Sequence, residues 1–222
     1  YNKVLGVIGF GKIGSIVADR ARGLRMRVVV HDPVVTPEQI EKAGFESVSL
    51  EDLYRRSDYI TVHVPKFKET TGLLNKEAFE QMKDGVMIIN CARGGIVNEA
   101  DLNEALRSGK VAGAGLDVFE KEPPEGNPLL GADCLVATPH IGGSTGEAQE
   151  MVGIQIAEQL IQYLRDGVAI NAVNMPSISP EQYKALGPFV HLAERLGTFA
   201  AHIATGNPKS VRLVYSGNIT GN

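Results

Sequence analysis

A doubly wound, mostly parallel α/β sheet is the fold this sequence of 222 residues predicts, and three observations predict it. Short apolar runs alternate with helical patterns through the first two thirds of the chain. Most of those runs are apolar on both faces, as strands covered by helices on both sides must be. Helix start signals stand in the segments between them. Strand, helix and strand in that rhythm make a parallel sheet with crossover helices.

The elements follow in order. A first strand is expected at Val4 to Ile8, and the glycine segment Gly9-Phe10-Gly11-Lys12-Ile13-Gly14 then opens a helix. Further strands are expected at Arg27 to His31, Tyr59 to His63, Val86 to Asn90, Ala112 to Val118 and Cys134 to Ala137. Thr36-Pro37-Glu38-Gln39 supplies an N-cap hydroxyl, a proline at the first helical position and a glutamine three residues after the cap. Ser144-Thr145-Gly146-Glu147 is a second capping box and opens a long amphipathic stretch. Met151, Ile154, Ala157, Leu160, Ile161 and Leu164 recur on one face of it, and Gly167 supplies the stop.

From Val168 the rhythm changes. Asn171 to Pro176 reads as an extended linker, and Ser179-Pro180-Glu181-Gln182 caps another helix with Leu192, Leu196 and Phe199 on its apolar side. Gly206-Asn207-Pro208 is a turn before a strand at Val211 to Tyr215. The expected organisation is a nucleotide-binding domain over residues 1–143, a long helix leaving it over 144–167, and the start of an additional α/β domain over 168–222. A strand pattern at the very first residues and another near the last make the chain, in this reading, a piece of a longer protein.

Composition excludes several classes of partner. The formal net charge of -4 gives no electrostatic reason to expect nucleic acid or an anionic membrane surface. No apolar run is long enough to span a bilayer, and the first residues do not read as a signal peptide. Cys91 and Cys134 have no metal-ligand spacing, so no metal is expected. They read as reduced thiols of a cytoplasmic protein.

Gly9, Gly11 and Gly14 stand where a dinucleotide fingerprint requires them, after a strand and at the start of a helix. The first permits a tight turn, the second lets backbone approach a pyrophosphate, and the third lets helix pack on strand. The helix N-terminus offers free N–H groups to phosphate. Asp32, eighteen residues beyond Gly14 at the end of the second strand, can accept from the adenosine ribose hydroxyls. It also selects NAD over NADP, since a 2′-phosphate would sit against a carboxylate.

Arg93, Glu122 and His140 each follow a strand. In open α/β sheets ligands bind at those carboxyl ends, so residues distant in sequence can converge. An arginine can clamp a carboxylate through two parallel hydrogen bonds. A histidine can pass a proton near neutral pH, and a glutamate can orient that ring. Taken singly, Arg93 reads as a surface arginine, Glu122 as a turn carboxylate before Pro123-Pro124, and His140 as a loop histidine. Together, downstream of a nucleotide fingerprint, they suit hydride transfer between a 2-hydroxy acid and a 2-oxo acid.

Three segments then carry a resemblance. Asn90 to Glu99, Gly115 to Pro123 and Thr138 to Thr145 resemble the D-isomer-specific 2-hydroxyacid dehydrogenases, whose nucleotide domain is Rossmann-like. The resemblance implies that Arg93 holds the substrate carboxylate and carbonyl oxygen, that His140 exchanges the hydroxyl proton, and that Glu122 hydrogen-bonds His140. It places Lys12 and Ile13 at the NAD pyrophosphate, Asp32 at the ribose, and Val64 and Thr70 along the cofactor. Cys91, Ala92, Arg93 and Asp117 fall around the nicotinamide, with the backbone of His140, Gly142 and Gly143. His63 becomes a strand residue of the cofactor wall, and His191 and His202 have no role.

Ala172 to Pro176 and Leu192 to Gly197 look like the passage into the extra domain of long-form family members that act on a phosphorylated 2-hydroxy acid. The family pattern also implies a further substrate-binding domain, a regulatory domain and a homo-oligomer. Two rivals stay open. One is a family member acting on glycerate, hydroxypyruvate or lactate; the other is a nucleotide-sensing interaction protein, since a group of transcriptional corepressors keeps the same three polar residues.

Overall fold

The computed structural model describes residues 2–174, 180–204 and 212–214. The chain forms two compact units, Tyr1–Gly146 and Glu147–Asn222. In the first unit the elements run β1 (Val4–Ile8), α1 (Lys12–Gly23), β2 (Arg27–His31), α2 (Pro37–Lys42), β3 (Glu46–Ser47), α3 (Leu50–Arg56) and β4 (Tyr59–Val62). They continue with α4 (Lys76–Gln81), β5 (Val86–Asn90), α5 (Glu99–Ser108), β6 (Val111–Leu116) and β7 (Leu135–Ala137).

All seven strands lie in one sheet of order β3-β2-β1-β4-β5-β6-β7, and every pair is parallel. The chain starts at the centre, winds outward through β2 to β3, and returns beside β1 to wind the other way. That reversal between β1 and β4 opens a crevice at the carboxyl ends of the strands, where such folds bind ligands.

The doubly apolar strand pattern has its counterpart in two cores. Along β1, Val4 and Ile8 face one, with Ile60, Ile88, Leu102 and Leu116. Leu5 and Val7 face the other, with Phe10, Ala18, Val30 and Ile40. Gly6 falls on the first face, where a Cβ would lie 2.7 Å from a Leu53 methyl carbon, so only glycine lets α3 pack this close.

The helices begin where polar caps stand. Thr36 accepts from the Gln39 N–H while the Gln39 side chain accepts from the Thr36 N–H, completing the expected box. Ser49, Asn75 and Asn98 cap α3, α4 and α5 through their side chains. The helix α1 is different, beginning at Gly11 with no side-chain cap.

Several boundaries differ from expectation. β4 ends at Val62, so His63 lies just past the strand rather than in it, and Cys134 lies just before β7. β6 runs Val111–Leu116 and leaves Asp117 and Val118 in the following loop. β3 has only two residues, both polar, and pairs on one side alone, so no apolar run marks it. β7 is the opposite edge, and Val136 there is exposed.

In the second unit, α6 (Gly146–Asp166) is followed by Gly167 at φ 69°, the left-handed stop that a glycine allows. No residue of α6 is buried; its apolar positions, Met151, Ile154, Leu160, Ile161 and Leu164 among them, are exposed. A last helix, α7, covers Pro180–Ile203. Ser179, the expected cap of α7, and the turn at Gly206 to Pro208 lie outside the described residues. Of the strand expected at Val211 to Tyr215, only Arg212, Leu213 and Val214 are described, and they are not in a strand. An apolar run becomes a strand only when its N–H and C=O groups find a partner chain. Among the described residues no helix is long and apolar enough to cross a membrane.

The packing predicts a contrast in stability. Ile88 is fully buried at the centre of the sheet, and Ile88→Ala should lower unfolding free energy by about 2–5 kcal/mol in urea melts. Met151→Ala, on the exposed face of α6, should change it by about 0.5 kcal/mol or less. Equal losses would mean that α6 shares the core.

Candidate active site

Every candidate catalytic or cofactor-binding residue of the first unit follows a strand, at the carboxyl edge of the sheet. Gly9 to Gly14 follow β1, Asp32 follows β2, Val64 and Thr70 follow β4, and Cys91 to Arg93 follow β5. Asp117 and Glu122 follow β6, and His140, Gly142 and Gly143 follow β7.

The glycine turn is close-packed at two of its three glycines and open at the third. Gly9 has φ +97°, and a Cβ there would lie 2.7 Å from the His63 backbone. A Cβ on Gly14 would lie 1.9 Å from the Gly9 carbonyl oxygen, so helix and strand could not approach as they do. Beside Gly11 there is open space, with nothing within 4 Å of a Cβ position. Lys12 and Ile13 stand exposed in the first turn of α1, whose leading N–H groups no side chain caps. Free N–H groups at a helix start can receive an anion such as a pyrophosphate.

The Asp32 carboxylate binds the turn itself. One oxygen accepts from the Phe10 N–H at 2.6 Å, and the other from Val34 and Val35 at 2.7 and 2.9 Å. Burial pushes its pKa up, but the Phe10, Val35 and Val34 donors and the nearby His31 outweigh that and hold it below its usual value. Sequence reasoning placed Asp32 at the ribose and did not foresee this bond to the glycine turn.

Across the crevice wall, Val64 is buried, while Thr70 accepts from the Phe67 N–H and donates to the Pro65 carbonyl, closing the loop after β4. His63 lies beside the glycine turn, and burial lowers its pKa. Cys91 and Cys134 are free and exposed. Burial of its sulfur, with the Asp117 charge, raises the Cys91 pKa.

Asn90 shapes the Arg93 loop and was not singled out from sequence. Its buried side chain accepts from the Ala92 N–H and donates to the Arg93 carbonyl, both at 3.0 Å. Arg93 is exposed and donates from Nη1 to the Ala92 carbonyl at 2.7 Å. Gly94 presses this loop onto the next, since a Cβ there would lie 1.8 Å from the Phe119 carbonyl oxygen.

The structure brings Glu122 and His140 into contact. Oε2 of Glu122 lies 2.8 Å from Nδ1 of His140, while Oε1 accepts from the Phe119 N–H at 3.0 Å. The His140 hydrogen bond, then the Phe119 donor, holds the Glu122 carboxyl below the usual range. Both residues line a hollow of about 350 Å³ with Asp117, Phe119 and Thr138. His140 is held at φ 57°, a conformation L-residues rarely adopt.

Asp117 enforces it. Its buried carboxylate accepts from the Thr138 hydroxyl at 2.5 Å and from the Ile141 and Gly142 N–H groups at 2.9 and 2.8 Å. Burial pushes the Asp117 pKa up, but those three donors and the His140 ring more than offset it, and the carboxyl lies below its usual value. A Cβ on Gly142 would lie 2.9 Å from the same carboxylate, which explains the glycine. Among the described residues no group of three metal-ligating side chains is assembled.

The chain is similar to proteins of known family. Residues 1–142 match the family model "D-isomer specific 2-hydroxyacid dehydrogenase, NAD binding domain". The chain is 49% identical over 218 residues to the D-3-phosphoglycerate dehydrogenase of Archaeoglobus fulgidus, covering 98% of this chain and 41% of that protein. It is similar to the solved structure of a glyoxylate reductase from Paecilomyes thermophila, with TM-score 0.69 and 35% identity over 81% of this chain and 53% of that one. A D-lactate dehydrogenase from Aquifex aeolicus, solved with NAD and lactic acid, matches with TM-score 0.65 and 36% identity over 73% of this chain and 54% of that one. The chain thus spans about two fifths of the length of the curated relative and about half of the solved chains.

Acid should loosen the loops of this site. Asp32, Asp117 and Glu122 all have lowered folded-state values, so their contribution is complete above the unfolded carboxylate range of about 4 and is lost as pH falls through the lower folded values. The amide resonances of Phe10, Ile141 and Gly142 should show a distinct movement below about pH 4, separate from any that follows the neighbouring histidines. Absence of any movement below that pH would show that these carboxylates do not hold the loops.

Proposed function

The chain belongs to the D-isomer-specific 2-hydroxyacid dehydrogenase family and carries its NAD-binding domain, and on that premise we propose that it is the nucleotide-binding part of an enzyme of serine biosynthesis that oxidises D-3-phosphoglycerate to 3-phosphohydroxypyruvate with NAD. The observation that carries the chemistry is the 2.8 Å bond between Glu122 and His140 at the carboxyl ends of β6 and β7. The choice of substrate is supported by the relative's name and by its 49% identity over nearly the whole chain, against 35% for the glyoxylate reductase.

NAD, when bound, supplies the acceptor for the hydride that leaves the hydroxyl-bearing carbon. In this reading the rest falls to the chain's own residues. With Nδ1 engaged by Glu122, Nε2 of His140 is left to take the hydroxyl proton during oxidation and return it during reduction. Glu122 keeps the ring from turning, because its second oxygen is anchored on the Phe119 backbone. Arg93 spends one donor on the Ala92 carbonyl and keeps the others for a substrate carboxylate. Gly11 and the uncapped start of α1 receive the pyrophosphate, with Lys12 and Ile13 beside it. Asp32 faces the ribose, Val64 and Thr70 line the wall, and Cys91, Ala92, Asp117, Gly142 and Gly143 surround the nicotinamide. The free thiols Cys91 and Cys134 suit a cytoplasmic enzyme, and a homo-oligomer whose partner is a small-molecule substrate completes the reading.

Cofactor choice tests the nucleotide half. Like charges about 4 Å apart repel by roughly 4 kcal/mol at an effective dielectric near 20, and solvent screens part of this, so calorimetry should show NADH binding about tenfold or more tighter than NADPH. Asp32→Ala should narrow that gap, and it should weaken NADH as well, because the Phe10 N–H loses its acceptor. Equal affinities in the unaltered chain would defeat the assignment of Asp32.

Turnover tests the chemical half. In the complete enzyme His140→Ala should lower the rate by about 10²- to 10⁴-fold with NADH affinity nearly unchanged. The 222-residue chain itself should bind NADH yet turn over 3-phosphohydroxypyruvate poorly, since His140 and Glu122 are half-exposed to water here and hydride transfer needs a shielded site. Near-normal kinetics in either assay would move the reaction away from these residues.

A further inference from the structure

A second cleft, of about 620 Å³, lies at the opposite, amino-terminal edge of the sheet. Its size is within the range of about 300–1,000 Å³ usual for small-molecule sites. Five cations line it, Arg22, Arg27, Arg55, Arg56 and Lys83, against a single carboxylate, Glu46. Asp19, Asp52 and Asp58, outside the lining, pair with Arg22, Arg55 and Lys83, so the excess positive charge of the cleft rests chiefly on Arg27.

Part of the pattern has a local cause. α1 and α3 end at this edge, and basic residues in a last helical turn complement the helix dipole. That accounts for Arg22, Arg55 and Arg56. It does not account for Arg27, which stands at the start of β2 and has no ion-pair partner among the described residues.

Four of the five cations have carboxylate partners, and Arg27 has none among the described residues. Glu46 grips Arg56 through two bonds of 2.7 Å, and Arg22 lies over the Phe45 ring at 4.9 Å while bonding Asp19. Lys83 is 3.2 Å from Asp58. A guanidinium has five N–H donors, and a carboxylate engages at most two, so each paired arginine keeps donors for a ligand. Exposed ion pairs of this kind contribute only about 0–1 kcal/mol, so an incoming anion competes with weak partners.

We propose that this cleft is a binding site for a small multivalent anion bearing phosphate groups, separate from the nucleotide crevice. Phosphate fits because its several oxygens can take forked donors from more than one arginine at once. Arg27 and Arg56 contact it, and Phe45 with the stacked Arg22 forms one wall.

The test uses the purified 222-residue chain saturated with NADH, so that the glycine turn is filled, and titrated with inorganic pyrophosphate at low ionic strength. Backbone amides of Arg27, Val28 and Phe45 should shift saturably while those of Gly9 to Gly14 stay still. Arg27→Met and Arg56→Met should each weaken binding by about tenfold or more, while Arg107→Met, an exposed arginine on α5, should leave it unchanged. Orthophosphate should bind more weakly than pyrophosphate if multivalency is recognised. Arg27→Met breaks no ion pair, so it decides the matter even if Arg56→Met fails to fold. Linear, non-saturating shifts, or equal losses in Arg27→Met and Arg107→Met, would reduce the effect to general charge attraction and overturn the proposal.

Discussion

The buried carboxylate of Asp117, at the end of β6, accepts from Thr138, Ile141 and Gly142 and so fastens the loop after the edge strand β7 to the interior of the sheet. Much of the candidate active site depends on that fastening. β7 is only three residues long and mostly exposed, so it could not by itself hold the loop in one place. His140 sits in this loop in a left-handed conformation that costs about 1–2 kcal/mol. Three hydrogen bonds to a charged acceptor offset such a cost, and a buried carboxylate left without them would be strongly unfavourable. The strained conformation directs Nδ1 of His140 to Glu122, which is itself fixed by the Phe119 backbone.

A second carboxylate does the same at the other side of the crevice. Asp32 holds the Phe10 N–H inside the glycine turn and two N–H groups of its own loop. On the proposed reading, cofactor choice and turn geometry rest on one side chain. An ionised carboxylate has about four acceptor positions, and three are engaged here, so one is left for a ribose hydroxyl in the proposed binding mode. A substitution at this position cannot change selectivity without also touching the shape of the turn.

The two edges of the sheet differ because parallel strands and their helices all point the same way. α2, α3, α4 and α5 have their first N–H groups closed by Thr36, Ser49, Asn75 and Asn98, whereas α1 offers its own to a ligand at the carboxyl edge. The helix C-termini α1 and α3 meet instead at the amino edge, where arginines gather. One topological fact thus yields a nucleotide crevice at one edge and a basic cleft at the other.

The architecture of the first unit was legible in the sequence because it depends on local periodicity. Two-sided apolar runs, a glycine turn and the Thr36 capping box are set by neighbours in the chain, and the structure has the sheet they imply. The short polar strand β3 was not legible, because a strand of two residues exists only through its pairing with β2. Sequence also supplied Arg93, Glu122, His140 and Asp32 as candidates, since their combination with a glycine fingerprint, each after a strand, nominates them together. It could not show that Asp32 binds Phe10, or that Asp117 fastens the loop that carries His140. Those bonds span separations such as the 22 residues from Phe10 to Asp32 and the 24 from Asp117 to Ile141. Only the folded sheet brings such partners within hydrogen-bonding distance, because their contact depends on strand order and not on spacing along the chain.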